Sequence, residues 1–170
     1  MTDVRFGMEV YGIKEAVREL GRIDKTARRD LTKRYREIMA PTVRDAQSKV
    51  PALPLSGFKR AWKTKSGFQM LPWQNDEAKK RIKAGIDTRM PRKRTVDVVN
   101  LTVFYVRWQG AVNTLFDLAK NGVFGANLSK KYGQASRIMW PTVTRHEKEI
   151  THDMAQLLED VMDKVNRKLQ

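Results

Sequence analysis

The sequence predicts an α+β fold in which long N-terminal and C-terminal amphipathic helices pack on a small antiparallel sheet. The helices are predicted by two segments in which apolar residues recur every three or four positions, residues 25–49 and residues 142–169. A third predicts the sheet, since residues 95–108 are rich in valine and aromatic side chains, which favour strands. With 170 residues, 41% of them hydrophobic, the chain has the size of a single domain spanning residues 1–170.

The first twelve residues, 1–12, predict a strand or an extended N-terminal arm. Val4, Phe6 and Met8 alternate with polar or small residues, so they share one face of an extended backbone. Such an arm pairs readily with a neighbouring chain, and we therefore expect these three side chains at a subunit or partner interface. A short helix over residues 13–20 is expected to follow.

The centre of the chain predicts an irregular segment followed by the sheet. Residues 51–78 are rich in proline, serine and glycine, with phenylalanine and tryptophan as anchors. We expect strands over residues 78–87 and 95–108, joined by a basic loop. A helix of one or two turns is expected over residues 111–120.

Residues 122–137 contain three glycines and predict an extended, mobile loop before the terminal helix. Val123 and Phe124 lie in this loop, and we expect them to contact a neighbouring subunit or partner. Trp140 lies just before the last helix, where it is either a staple at the helix entry or, if exposed, an anchor for a protein interface.

The chain is strongly basic, with 34 lysines and arginines against 19 acids and a net charge of +15. Residues 51–100 carry +8 of this charge. A patch of this kind attracts DNA phosphates, acidic protein surfaces or anionic lipid, although many charge runs are only solvated. The candidate residues for contact with an acidic partner or DNA are Lys79, Lys80, Arg81, Lys83, Arg89, Arg92, Lys93 and Arg94.

Several classes of function are disfavoured by the sequence. The chain has no cysteine, which excludes disulfides, thiolate catalysis and cysteine-ligated metals. The two histidines, His146 and His152, are six residues apart and point about 120° away from each other on a helix, unlike a zincin pair. No nucleotide-binding or nucleophile motif is present. We therefore expect no enzyme, no cofactor and no metal site. No apolar run is long enough to span a membrane, and no signal core opens the chain, so we expect synthesis in the cytoplasm.

The order of several short motifs, each weak alone, carries a family resemblance. They include Val10-Tyr11-Gly12-Ile13 before the first helix, Ala46 to Pro51 at the end of the long helix, and Ser56-Gly57 followed by Trp62. Further along come Ala84-Gly85-Ile86, Leu115-Phe116-Asp117-Leu118-Ala119 and Ala135-Ser136-Arg137-Ile138-Met139-Trp140-Pro141. In this order the motifs resemble the tail-completion or neck proteins of long-tailed bacteriophages, particularly phages that infect actinobacteria.

The resemblance implies a structural virion protein of the head–tail junction. Such proteins form rings of six or twelve copies that join the DNA-filled head to the tail and surround the DNA passage. The implied partners are further copies of the chain, other connector proteins, and tail-terminator or tail-tube proteins. The DNA that passes through the channel is a further candidate partner. The implied location is the virion neck, after synthesis in the host cytoplasm. The alternative from charge alone is a nucleic-acid-binding protein that acts through residues 79–94. A membrane-surface protein is disfavoured, because the basic run has no amphipathic stripe beside it.

Overall fold

The computed structural model describes residues 25–63, 65–67, 69–70, 72–86, 97–101 and 104–169, and its fold is α+β as the sequence predicts. The helices are α1 (Lys25–Ser48), α2 (Asn75–Lys80), α3 (Ala111–Leu118), α4 (Gly122–Tyr132), α5 (Met139–Arg145) and α6 (Glu147–Leu169). A 3₁₀ turn spans Ser56–Lys59, and the strands are β1 (Trp62–Lys63), β2 (Gln69–Met70), β3 (Ile82–Ile86), β4 (Asp97–Leu101) and β5 (Phe104–Trp108). The predicted arm over 1–12 and the helix over 13–20 lie outside the described residues.

Helix α1 ends one residue before its predicted end. With the buried Thr42 included, its buried side chains Leu31, Tyr35, Met39 and Ala46 recur every three or four residues. This stripe packs against β3, α5 and α6. Tyr35 is fully buried, and its hydroxyl donates a hydrogen bond to the backbone oxygen of Tyr105 at 3.2 Å. Burial raises the pKa of this hydroxyl far above its usual range, so the group stays a neutral donor.

The main sheet has three antiparallel strands in the order β3-β5-β4. The predicted single strand over 95–108 is wrong, because β4 and β5 form a hairpin in which Leu101 faces Phe104. Both strands have the same β-branched and aromatic composition, so composition alone does not reveal where the chain reverses.

The other predicted strand, 78–87, is correct only from Ile82 to Ile86. Its first residues belong to α2, a short helix with two acids in its first turn and two lysines in its last. That order of charges suits the helix dipole. The segment predicted as irregular, 51–78, also contains the small antiparallel pair of β1 and β2.

An aromatic cluster fills the space between the sheet and the helices that follow it. Trp73 packs edge-on against three rings, with centroids 5.6 Å from Phe58, 6.2 Å from Trp108 and 5.5 Å from Phe116. Tyr132 extends the cluster, 5.2 Å from the ring of Phe116. The buried indole nitrogens are also paired: that of Trp73 donates to the oxygen of Pro51 and that of Trp108 to the oxygen of Ala78. Because these two tryptophans are core residues, they offer no surface for stacking on bases.

The predicted extended loop over 122–137 is wrong, because residues 122–132 form helix α4. Its glycines serve close packing and a tight turn. Gly122 opens the helix with a φ of 73°, a conformation that residues with a Cβ rarely adopt. Gly125 lies against the backbone of Lys120, and an added Cβ would lie 2.6 Å from that carbonyl carbon. Glycine at this position allows two backbone segments to approach closely. A high glycine content is equally typical of a mobile loop, so composition alone cannot distinguish the two.

The predicted terminal helix, 142–169, is two helices. Helix α5 starts earlier, at Met139, and α6 follows after a break at His146, whose backbone has φ −94° and ψ 7°. The apolar stripe of α6 is as predicted over its described part, with Ile150, Met154, Leu157 and Val161 buried. The break coincides with contacts of the His146 ring to other elements, and periodicity carries no information about such contacts.

Candidate interaction surfaces

A buried polar network ties the end of α3 to the start of α5. Asp117 is 0% exposed, and its Oδ1 accepts hydrogen bonds from the backbone N–H groups of Arg137 (2.8 Å) and Ile138 (2.6 Å). Its Oδ2 accepts a bond from the hydroxyl of Ser136 at 2.6 Å, and that hydroxyl oxygen in turn accepts one from the N–H of Trp140. These N–H groups would otherwise have no acceptor at a helix start. The carboxylate therefore anchors the backbone that leads into α5 from about twenty residues earlier in the chain, and the Ser136 hydroxyl that it holds serves the N–H of Trp140 in the first turn.

Arg137 performs the reciprocal role at the other helix end. The side chain is buried, and its guanidinium donates to the backbone oxygens of Phe116 (2.6 Å), Asp117 (3.1 Å) and Ala119 (2.8 Å). It also donates to the Ser129 hydroxyl on α4 at 3.1 Å. A cation is favourable at the C-terminal end of a helix, where carbonyls lack partners. Burial lowers the pKa of the guanidinium, and the negative charge of Asp117 opposes that shift.

This Asp117–Arg137 network is a structural site that the sequence prediction missed. A signal was present: Asp117 is the only charged residue of segment 111–119, and Arg137 is the only one of 132–144. Two lone opposite charges in uncharged segments indicate a buried pair. Both belong to motifs that carry the family resemblance, 115–119 and 135–141, and the fold brings those two motifs into direct contact.

A second polar cluster joins α1 to the two C-terminal helices. Oδ2 of Asp45 lies 2.9 Å from the Lys49 ammonium, 2.9 Å from the Arg145 guanidinium and 3.3 Å from Nε2 of His146. Lys49 also donates to the hydroxyl of Thr142 at 3.1 Å. The hydrogen bond from Lys49, aided by the other neighbouring cations, lowers the pKa of the Asp45 carboxyl.

The cations of the basic run differ in exposure and pairing over its described part, which is residues 79–83. Lys79 is half-buried, and Lys80 pairs with Glu77 at 3.0 Å. Arg81 and Lys83 are exposed. The remaining four predicted contact residues lie outside the described residues: Arg89, Arg92, Lys93 and Arg94.

The outer face of the sheet gathers cations that the basic run alone did not indicate. Lys83 on β3 is directly opposite Arg107 on β5, so both side chains lie on one face. The Arg107 guanidinium lies 4.9 Å from the centre of the Tyr105 ring. Gly85 makes room for that tyrosine, since a Cβ there would lie 2.6 Å from its hydroxyl. We call Lys83, Tyr105 and Arg107 the outer-sheet platform.

An exposed apolar surface lies where β1 meets α4. Val123 is 80% exposed and Trp62 is 40% exposed. Phe124, half-buried, connects them to the core, with ring centroids 6.2 Å from Trp62 and 5.1 Å from Phe58. We call Trp62, Val123 and Phe124 the hairpin patch. The predicted interface residues Val123 and Phe124 thus lie together, although on a helix rather than on a loop.

The other predicted interface residues do not join this patch. Val4, Phe6 and Met8 lie outside the described residues. Trp140 is half-buried against the core at the start of α5, which fits a staple better than an exposed anchor.

Chemistry-bearing groups are sparse in the described part of the chain. There, no three histidine, aspartate or glutamate side chains lie close enough to hold a metal ion, and no helix is long and apolar enough to cross a membrane. The two histidines have different neighbours: His146 faces Asp45, and His152 lies 3.3 Å from Gln156. Comparison with family models, curated proteins and solved structures yields no match.

Proposed function

We propose that this protein is a structural subunit of a bacteriophage neck, in which copies form a ring that joins the DNA-filled head to the tail. One observation carries the proposal. Two of the motifs that carry the resemblance to neck proteins, 115–119 and 135–141, meet in the buried Asp117–Arg137 network. Because residues that share a buried network depend on one another, these two motifs form one structural unit of the kind that a family would keep together.

The exposed hairpin patch supports a role in assembly. Monomeric proteins expose single apolar residues commonly, but here the 80%-exposed Val123 is followed by Phe124, whose ring lies 6.2 Å from that of the 40%-exposed Trp62. Surfaces of this kind mark protein interfaces. The proposed partners are further copies of the chain, in rings of six or twelve, and the connector, tail-terminator or tail-tube proteins next to the ring. The proposed location is the virion neck.

The test is disruption of the gene in the phage that encodes it, followed by negative-stain electron microscopy of the lysate. The proposal predicts DNA-filled heads and free tails that are not joined. A plasmid copy of the wild-type gene should restore joined particles, whereas Val123→Asp should not. Asn127→Asp is the matched control, since Asn127 is exposed one turn further along α4. Joined, infectious particles without the gene would refute the proposal.

The outer-sheet platform favours a second candidate, a nucleic-acid-binding protein. Lys83, Arg107 and Tyr105 combine cations with an aromatic ring on one face, and this combination suits a phosphate backbone and a stacked base. Fluorescence anisotropy with labelled DNA over a salt series tests it. Eight phosphate contacts would give a log–log slope near −7, by the rule of about 0.9 per contact.

Two variants would assign such binding to the platform. Arg107→Gln should lower the affinity, while Lys80→Gln, which affects a lysine already paired with Glu77, should change it little. No binding at about 100 mM salt would dismiss this candidate.

A further inference from the structure

The hairpin patch has a cationic rim. Residues 59–65 contain four cations and no acid, and the cationic side chains are all exposed: Lys59, Arg60, Lys63 and Lys65. An apolar centre inside a charged rim is the usual anatomy of a protein interface. The rim selects a partner whose own apolar anchor is surrounded by acids.

The same chain offers such an anchor on α6. Met162 is 48% exposed. Two exposed acids lie near it on the helix: Glu159 is about one turn before Met162, and Asp163 directly follows it. Residues 153–163 contain four acids and no lysine or arginine. One of these acids, Asp160, pairs with Arg34 of α1 at 2.6 Å, so Glu159 and Asp163 are the acids that rim Met162, and the exposed Lys164 follows them. We call Met162, Glu159 and Asp163 the helix patch.

The two patches belong to different parts of the subunit. The hairpin patch is built on β1 and α4, whereas α6 packs against α1 and α5. A flexible thioether such as Met162 adapts well to an aromatic surface. Both patches are large exposed apolar features of the described residues.

We propose that the helix patch of one copy docks on the hairpin patch of the next copy. A symmetric contact would place cations against cations, or acids against acids, which is unfavourable. Only a head-to-tail contact brings the opposite rims together, and repetition of such a contact generates a ring when the rotation closes. The inference rests on the proposed function for the ring, but the contact itself is measured in solution.

Cysteine pairing tests the geometry, because the chain has no native cysteine. The Val123→Cys and Met162→Cys chains carry different tags, so that mixed dimers and homodimers can be told apart. They are mixed in equal amounts, oxidised and separated on a non-reducing gel. The proposal predicts at least tenfold more mixed dimer than either homodimer. The matched control replaces Met162→Cys with Thr151→Cys, an exposed site about three turns away on α6. Mixed dimer no more abundant than with this control, or a predominance of Val123→Cys homodimer, would overturn the proposal.

Charge exchange tests the rims. In sedimentation equilibrium at about 150 mM salt, Arg60→Glu with Lys63→Glu should weaken self-association at least tenfold, as should Glu159→Lys with Asp163→Lys. Mixing the two variants should restore association, because the reversed rims are again complementary. Failure of the mixture to associate more strongly than either variant alone would contradict the proposal. If the gene disruption leaves heads and tails unjoined but the cysteine chains do not pair, this contact is rejected and the neck function still stands.

Discussion

Replacement of Asp117 by alanine removes the acceptor on which the start of α5 depends. In the folded protein the carboxylate is completely buried and accepts bonds from two backbone N–H groups and from the Ser136 hydroxyl. Alanine leaves the N–H groups of Arg137 and Ile138 without that acceptor. The hydroxyl can rotate toward another partner, but the backbone groups cannot.

The cost follows from those two groups. A buried donor left unpaired costs about 1–3 kcal/mol, so Asp117→Ala should lower the free energy of unfolding by about 2–6 kcal/mol. Asp117→Asn keeps an oxygen that can face the two N–H groups, and its amide can donate to the Ser136 oxygen. It loses only the charge assistance, and about 1–2 kcal/mol is expected.

Urea unfolding followed by circular dichroism measures both variants, with Asp30→Asn as the control at an exposed position on α1. The control should stay within about 0.5 kcal/mol of the wild type. A loss of about 3 kcal/mol corresponds to a fall in Tm of about 6–12 °C for a domain of this size. If Asp117→Ala unfolds like the control, or if asparagine costs as much as alanine, the assignment of Asp117 as the anchor of the segment before α5 is refuted.

Three further perturbations have definite expected outcomes. Because the folded pKa of Asp45 lies below its unfolded value, the stability it contributes is present above about pH 4 and disappears as the pH falls through the folded pKa. Urea midpoints of wild type and Asp45→Asn should therefore differ at pH 6 and converge once the pH is below that folded pKa. Gly125→Ala should destabilise the protein by about 1–3 kcal/mol, although alanine has the higher helix propensity, because the added Cβ meets the backbone of Lys120. Gly57→Ala is the control and should be neutral, since its Cβ would enter open space. Thermal melts in which Gly57→Ala is the less stable variant would contradict the packing argument. Trp108→Phe removes the indole N–H that donates to the buried backbone oxygen of Ala78, so we expect the free energy of unfolding to fall by about 1–3 kcal/mol. An unchanged free energy of unfolding would mean that this hydrogen bond contributes nothing to stability.

The elements that the sequence predicted well are those whose periodicity is long and regular. The stripe of α1 repeats over six turns, and its predicted end differs from the observed one by one residue. The buried face of α6 was predicted for the same reason, because the spacing of apolar residues indicates which side of an amphipathic helix is buried. The interface role of Val123 and Phe124 stays a prediction, and the structure places both residues on α4.

The elements that were predicted wrongly depend on contacts between distant residues. Gly125 was interpreted as a source of mobility, but it is small because the backbone of Lys120 approaches it. The segment that leads into α5 is held by Asp117, which accepts from the N–H groups of Arg137 and Ile138. Local sequence cannot indicate an anchor that arrives from another helix.

By itself, the sequence determined the fold class, the long helices, the basic character and the absence of cysteine chemistry, because these follow from composition and from periods of a few residues. Only the tertiary structure decided which charges are buried, which tryptophans remain accessible and which apolar residues share a surface. Asp117 and Arg137, and likewise Trp62 and Phe124, are far apart in sequence and adjacent in space. Their roles arise from packing between elements, and the pattern within any one element does not contain that information.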